Sequence, residues 1–421
     1  MIETTILSPG VTLRCFRDTR FKQGCLSFQF VRPMAAEEAH LNALLPSVLL
    51  RATEPHPDLR AISQHLDSLY GVSLGALVRR IGDYQTTGFH CTFMDDRFAL
   101  PGESVLAGVV DFLEEMLTRS PLLDGGFLPE LVESEKRNLI ATIESELNNK
   151  GAYALGKLLK SMGREDTIGL PRLGEKEAVA AIDPVALHRH YRKIRRESPL
   201  EIFYVGSADS ETIATLMKTM VEKWDRNCGN LQPQTGLRAA AGAELTERMD
   251  IAQGKLSLGF TTPILSTDRA YPALHAFHIL FGAGMTSRLF MTVREKKSLC
   301  YSIGSGLIAT KGIFTVSAGI DFEQEAETRQ EIFRQLEDCQ QGGITEEELT
   351  AAKEAICSGL RSVMDSPGAI ENYYSTLALS GRDLDREAYL HTIERLTLAE
   401  VTAAANSLQY HSGIFLKGVE A

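Results

Sequence analysis

Two short stretches of the chain share one pattern of apolar and polar positions. Residues 26–33 read LSFQFVRP and residues 256–263 read LSLGFTTP, 230 residues apart. Each half-alternates apolar with polar or small residues and closes at a proline, the pattern of a strand running into a turn. Each is followed by an apolar helical segment, AHLNALLPSVLLRA from Ala39 and AYPALHAFHILFGAG from Ala270. A second correspondence, at an offset of 217, relates Gly125–Gly126 and Lys136 to Gly342–Gly343 and Lys353. Each reads as a glycine-closed helix end followed by a helix with an acidic N-terminus. The pattern predicts two copies of one unit of about 200 residues, of the order of a typical domain.

The stretch RNCGNLQPQTGLRAAAGAELTERMD is rich in Gly, Asn, Gln and Ala and shows no amphipathic period, so it reads as the join. The expected organisation is an N-terminal domain over 1–228, a linker over 229–249 and a C-terminal domain over 250–421. Strands, a helix, more strands and then long helices recur in each copy. That order predicts an α+β fold, a duplicated, mainly antiparallel sheet with helices packed on one face.

Composition narrows the function. Hydrophobic residues are 44% and charged residues 24% of 421, ordinary for a packed protein. The net charge of −11 disfavours nucleic acid. The one basic run, HRHYRKIRR from His188 to Arg196, reads as a solvated helix end. Seven cysteines include no C-x-x-C pair, which suits buried thiols in a reducing compartment. No secretory leader or membrane-length apolar run is evident, so a cytoplasmic location with no membrane partner is expected.

Candidate chemistry is sparse. His275 and His278 lie three apart on an apolar helix, but no Glu or Asp lies between Pro272 and Thr292 to complete a zinc site; they read as packed histidines. His188 and His190 would point to different sides of a helix. Gly71-Val-Ser73-Leu-Gly75 matches G-x-S-x-G, but a helix precedes it instead of a strand, so Gly71 reads as a helix cap. FGAGMTSRLF lacks a third glycine and leaves a helix, which excludes a dinucleotide fingerprint. One constellation remains: Arg294 and Tyr301, seven apart across a turn-like KKS. A guanidinium and a phenol lining one cleft are good donors to a peptide carbonyl, and a helix-end salt bridge beside a core tyrosine is the plainer alternative.

At this segment the sequence resembles the insulinase/pitrilysin family of zinc peptidases, especially bacterial members similar to mitochondrial processing peptidase. The family pattern S-R-L-F-x-x-V-R-E-x-x-x-L-x-Y-S is matched from Ser287 through Arg294 to Tyr301 and Ser302, and TIGLPRLGEKEAVAAIDPVALHRHYRK (167–193) is similar to another family segment. The resemblance implies paired α+β domains in a clam-shell arrangement that encloses an extended peptide added to a sheet edge. It also implies substrate-binding roles for Arg294 and Tyr301. The family's zinc motif, H-x-x-E-H, falls at Ala43, Leu44, Leu45, Pro46 and Ser47, with the distal zinc glutamate at Thr142. Neither histidine nor the glutamate is present, and Pro46 would disturb the helix. Glu144 and Glu146 lie near the distal position, and His40 just upstream of the motif.

These implications lead to a chain with no catalytic residues or cofactor of its own, inactive alone. It would serve as the non-catalytic, peptide-binding subunit of a heterodimeric peptidase whose H-x-x-E-H partner carries the zinc. The alternative is a stand-alone homodimeric peptide-binding or structural protein; a metal recruited by His40, His275 or His278 is a third reading.

Overall fold

In the computed structural model the described residues are 2–146, 148–164, 166–229, 231 and 236–419. The first stretch runs β1 (Ile2–Ser8), β2 (Val11–Arg17), β3 (Gln23–Pro33), α1 (Ala36–Leu49), α2 (Leu59–Ser68), β4 (Ser73–Ile81), β5 (Tyr84–Met94) and α3 (Val105–Thr118). A two-strand hairpin, β6 (Leu122–Leu123) and β7 (Gly126–Phe127), leads to α4 (Pro129–Glu146), α5 (Lys150–Met162), α6 (Lys176–Ala180), α7 (Pro184–Glu197), β8 (Leu200–Gly206) and α8 (Ser210–Val221). Then come β9 (Glu244–Met249), β10 (Gly254–Thr261), α9 (Tyr271–Gly282), β11 (Ser302–Ile308) and β12 (Ile313–Ile320). The chain ends with α10 (Glu325–Gln340), α11 (Glu346–Ser362), α12 (Pro367–Leu379), α13 (Arg386–Glu394), α14 (Leu398–Asn406) and β13 (Gln409–Gly418).

The two sheets repeat one topology. The first has the order β1-β2-β8-β3-β5-β4 and the second β11-β12-β10-β13-β9. Read from the parallel pair, β2-β8-β3-β5-β4 corresponds to β9-β13-β10-β12-β11; β2–β8 and β13–β9 are parallel and the remaining ladders antiparallel. The two matched runs lie on β3 and β10, at equivalent places in this order. The fold is thus α+β with a duplicated, mainly antiparallel sheet.

The chain forms two compact units, neither of them a continuous half. One comprises 1–144, 171–233 and 363–379; the other comprises 145–170, 234–362 and 380–421. Each unit therefore takes one helix from the opposite half of the sequence, α12 into the first and α5 into the second. The helix spans Lys150–Met162 and Pro367–Leu379 are related by the 217-residue offset. The segment read as a linker (229–249) includes residues 230 and 232–235, which lie outside the described residues. It ends in β9, ELTERM, whose largely exposed side chains carry no apolar period; its pairing with β13 holds it in the sheet.

In the first unit Leu26, Phe28 and Phe30 of β3 join Leu44, Leu45 and Val48 of α1 and much of α3 and α7 in one core. Ser27 and Gln29 alternate onto the opposite face, where α12 covers them and all are buried. There Glu371 of α12, fully buried, takes Ser27 Oγ at 2.6 Å and both terminal nitrogens of Arg79 at 2.9 and 2.8 Å. In the second unit α5 covers the matching face of its sheet with apolar contacts, Ala154, Leu158 and Met162 against Ile313, Ile414 and Leu416. Just beyond α5, Asp166 meets Lys311 at 2.9 Å with both side chains out of solvent, and accepts the Ile168 and Arg238 amides. Helices thus cover each sheet on the expected face, and one borrowed helix covers the other.

Removing one member of a buried ion pair strands the other charge, whereas replacing both costs little. Glu371→Ala is expected to destabilise the first unit by about 3 kcal/mol, and Glu371→Leu combined with Arg79→Met to recover most of it. Urea denaturation followed by fluorescence of Trp224, the chain's single tryptophan and part of the first unit's core, reads the effect directly.

Candidate functional site

Arg294 and Tyr301 come together within the second unit. After α9, residues 290–296 form a wide π-helical turn, which Ser298 ends at φ 54°. A left-handed residue at that point is the usual way to stop a helix, normally with glycine. The Ser298 and Leu299 amides return to the Arg294 and Val293 carbonyls, and the Tyr301 amide to the Gly319 carbonyl on β12. This reversal sets Arg294 and Tyr301 on the wall of one open cleft of about 320 Å³, with Glu295, Ser298, Cys300 and Asp321.

The two side chains differ in availability. The Arg294 guanidinium lies 4.6 Å above the Phe290 ring and is 3.7 Å from Glu295, a solvent-exposed pair worth little. Arg294 lines the cleft, and among the described residues its one ion pair is this exposed one with Glu295. The Tyr301 hydroxyl, more than half exposed, donates to Asp321 at 2.9 Å, and that hydrogen bond and the carboxylate's charge raise its pKa. Tyr301 is therefore neutral and pre-oriented by Asp321, a residue that sequence reasoning missed because it lies twenty positions away on another strand end. Burial pushes the Cys300 thiol up to about 11 against the pull of Arg294, so it is protonated and unreactive. Arg288 of the same motif is buried; it reaches Glu348 at 2.7 Å, Asp338, and the Gly343 carbonyl. It ties the turn to α10 and α11, which leaves Arg294 as the exposed arginine of the pair.

The zinc-motif positions lie in the first unit on α1. Ala43, Leu44 and Leu45 are core residues, Pro46 is buried and Ser47 half-buried. The helix runs unbroken through Pro46, contrary to the expected disturbance. A proline at this position frees the carbonyl four residues back, and that carbonyl, of Asn42, accepts Thr87 Oγ1 at 2.7 Å. The Asn42 side chain completes a buried polar set. Its amide nitrogen donates to Gln85 at 2.8 Å, and its oxygen lies 2.7 Å from His190 Nε2. Thr142 donates its hydroxyl back to Asn138 of its own helix, and Glu144 pairs with Lys176.

These residues do not fit zinc. Among the described residues no group of three or more His, Cys, Asp or Glu is arranged to hold a metal. His275, His278 and His188 are engaged too. His275 meets the Tyr389 hydroxyl at 2.9 Å and His278 meets Ser305 at 2.8 Å, and burial lowers both to about 4. His188 contacts the Gly125 carbonyl, and Gly71 sits at φ 75° just after α2, as a helix cap should.

Burial also lowers His190 to about 4, so it is neutral near pH 7. A histidine that titrates near 6.5 when unfolded and near 4 when folded binds fewer protons in the native state. Its stabilising contribution is complete above about 6.5 and is lost as pH falls toward 4. The first unit is expected to weaken across that window, and His190→Gln to flatten the dependence; Trp224-monitored denaturation at pH 7, 5.5 and 4.5 compares the slopes.

With this geometry in place, the comparisons with known proteins are consistent. A family model described as Peptidase M16 inactive domain matches residues 181–356. The chain is 28% identical over 412 residues to the "Probable inactive metalloprotease YmfF" of Bacillus subtilis, covering 98% of this chain and 96% of that one. It is 26% identical to an uncharacterized zinc protease of Mycobacterium tuberculosis over 69% of this chain and 68% of the other. A conserved protein from Enterococcus faecalis superposes with a TM-score of 0.91 at 28% identity, covering 99% of both chains. The Pseudomonas fluorescens structure named peptidase M16 inactive domain gives 0.83 at 16% identity over 100% of this chain and 98% of that one, a likeness of fold alone. Among the described residues no helix is long and apolar enough to cross a membrane. Two repeated sheets, an open arginine–tyrosine cleft and a helix without ligands at the zinc-motif positions agree with these matches: the chain is similar to the insulinase/pitrilysin, or M16, peptidases and lacks their zinc-binding motif.

Proposed function

We propose that this chain is the non-catalytic, peptide-binding subunit of a heterodimeric zinc metallopeptidase, with a homologous partner that carries H-x-x-E-H. The observation that carries the reading is an asymmetry between its two sites. The positions of the zinc motif, Ala43 to Ser47, hold no metal ligand, and Ala43, Leu44, Leu45 and Pro46 are buried. The arginine–tyrosine cleft stays open and furnished with donors. A chain that had lost every role would have no reason to keep one and fill the other.

Each residue then has a defined task. Arg294 donates to a substrate carbonyl. Tyr301, held by Asp321, fixes a second backbone group, so that both act by orientation. In the first unit β4 is the outer strand of its sheet, an edge to which an extended peptide adds with backbone hydrogen bonds. Metal chemistry and the general base belong to the partner.

A quenched-fluorescent peptide assay tests the reading on this chain, on the H-x-x-E-H homologue from the same genome and on their mixture. Turnover is expected only in the mixture and is abolished by a chelator. Arg294→Ala and Tyr301→Phe should lower it by about tenfold or more without changing either chain's stability, in the lower part of the range for lost positioning contacts. A homologue equally active alone, with no gain on mixing, favours instead a stand-alone peptide-binding or structural protein.

A further inference from the structure

Helix α7 carries a dense cluster of positive charge on an acidic chain. Arg189, Arg192 and Arg196 stand at i, i+3 and i+7, on one side of the helix, over about 10 Å of its length. They line an open groove of about 520 Å³, in which Glu197 and Asp225 are the only acids among the described residues, Asp225 lying 4.0 Å from Arg196. A second groove, of about 280 Å³, shares Arg192 and reaches Leu122. There Leu122 and its neighbour Leu123, both about half exposed, project from the β6–β7 hairpin.

The helix macrodipole accounts for part of this charge. Arg195 and Arg196 lie in the last turn, where cations are favoured. Arg195 is further used over the Tyr191 and Trp224 rings and against the Leu117 carbonyl, and Lys193 pairs with Glu38. Arg189 and Arg192 lie in the middle of the helix, where the dipole offers nothing, and neither makes an ion pair or hydrogen bond among the described residues. Cationic side chains left without intramolecular partners, next to exposed leucines, form a surface whose complement is acidic and apolar at once.

We propose that this face docks an acidic, leucine-bearing helical segment of a partner protein, with carboxylates at helical spacing meeting Arg189, Arg192 and Arg196 and an apolar side chain covering Leu122 and Leu123. Single-stranded nucleic acid fits less well: of the rings lining the groove, Tyr191 is buried and His188 is engaged by the Phe127 ring and the Gly125 carbonyl, which leaves a poor stacking platform, and the net charge of −11 opposes a longer polyanion. The inference does not rest on the peptidase reading and uses none of its residues.

Fluorescence anisotropy on the full chain tests it with a labelled peptide of about 18 residues, five helical turns, with Glu and Leu on one face. Binding is expected in the micromolar range and should weaken about tenfold between about 50 and 300 mM salt, as screening of exposed pairs requires. Arg189→Glu with Arg192→Glu should abolish it, and Leu122→Ser with Leu123→Ser should weaken it several-fold, with melting temperature unchanged in both. A peptide with Gln in place of Glu should not bind. Equal binding by the Gln peptide, no effect of the arginine pair, or tighter binding of a single-stranded RNA of similar length overturns the proposal. Sedimentation of the chain alone covers the remaining occupant: self-association lost in the arginine variant would assign the face to a second copy and also overturn it.

Discussion

Two largely buried ion pairs, one within each unit, hold the exchanged segments. Glu371 brings its charge into the face of a sheet that otherwise offers Ser27 and Gln29, and only Arg79 makes that burial tolerable. Asp166 and Lys311 do the same for the segment that follows α5. Such pairs add little net stability compared with apolar packing. Their value lies in discrimination. The chain contains two sheets of one topology and two helices at one offset, and a helix bearing Glu371 is acceptable only where Arg79 awaits it. An apolar helix such as α5, with Ala154 and Leu158 at its contact, would leave Arg79 without its carboxylate partner on the first sheet.

The polar groups around α1 are satisfied with the same economy. Proline in the middle of a buried helix ordinarily costs about 3 kcal/mol through a missing donor and a steric clash. Here the orphaned Asn42 carbonyl has Thr87 as a replacement donor, and the Asn42 side chain bonds Gln85 through its nitrogen and His190 through its oxygen. Buried polar groups that are all satisfied make a rigid, specific interior. The helix that bears the zinc-motif positions is here a buried structural element.

Much of this was legible in the sequence, and the rest failed for definable reasons. Strands β3 and β10 and the helices after them repeat because burial imposes the same period on both copies, and the motif from Ser287 to Ser302 located the cleft. Periodicity reports which face of a helix is apolar but not which sheet it covers, so the exchange of α5 and α12 had no local signature. Strand β9 was invisible because ELTERM exposes most of its side chains and is held by backbone pairing. Spacing could not tell Arg288 from Arg294; one is buried among Glu348, Asp338 and a carbonyl, the other faces solvent. Asp321 and the amide set around Asn42 needed the third dimension altogether.

The borrowed helix also sets a timetable. The first unit has most of its chain by residue 233, yet α12 arrives only with residues 363–379. At a synthesis rate of about 5–20 residues per second, that leaves a delay of roughly 7–30 s. Throughout it, one face of a nearly finished sheet, with Ser27, Gln29 and Arg79, stands uncovered on the ribosome. The nascent chain is then an incomplete fold waiting for its own C-terminal half, and it is in this interval that a chaperone would find a surface to hold.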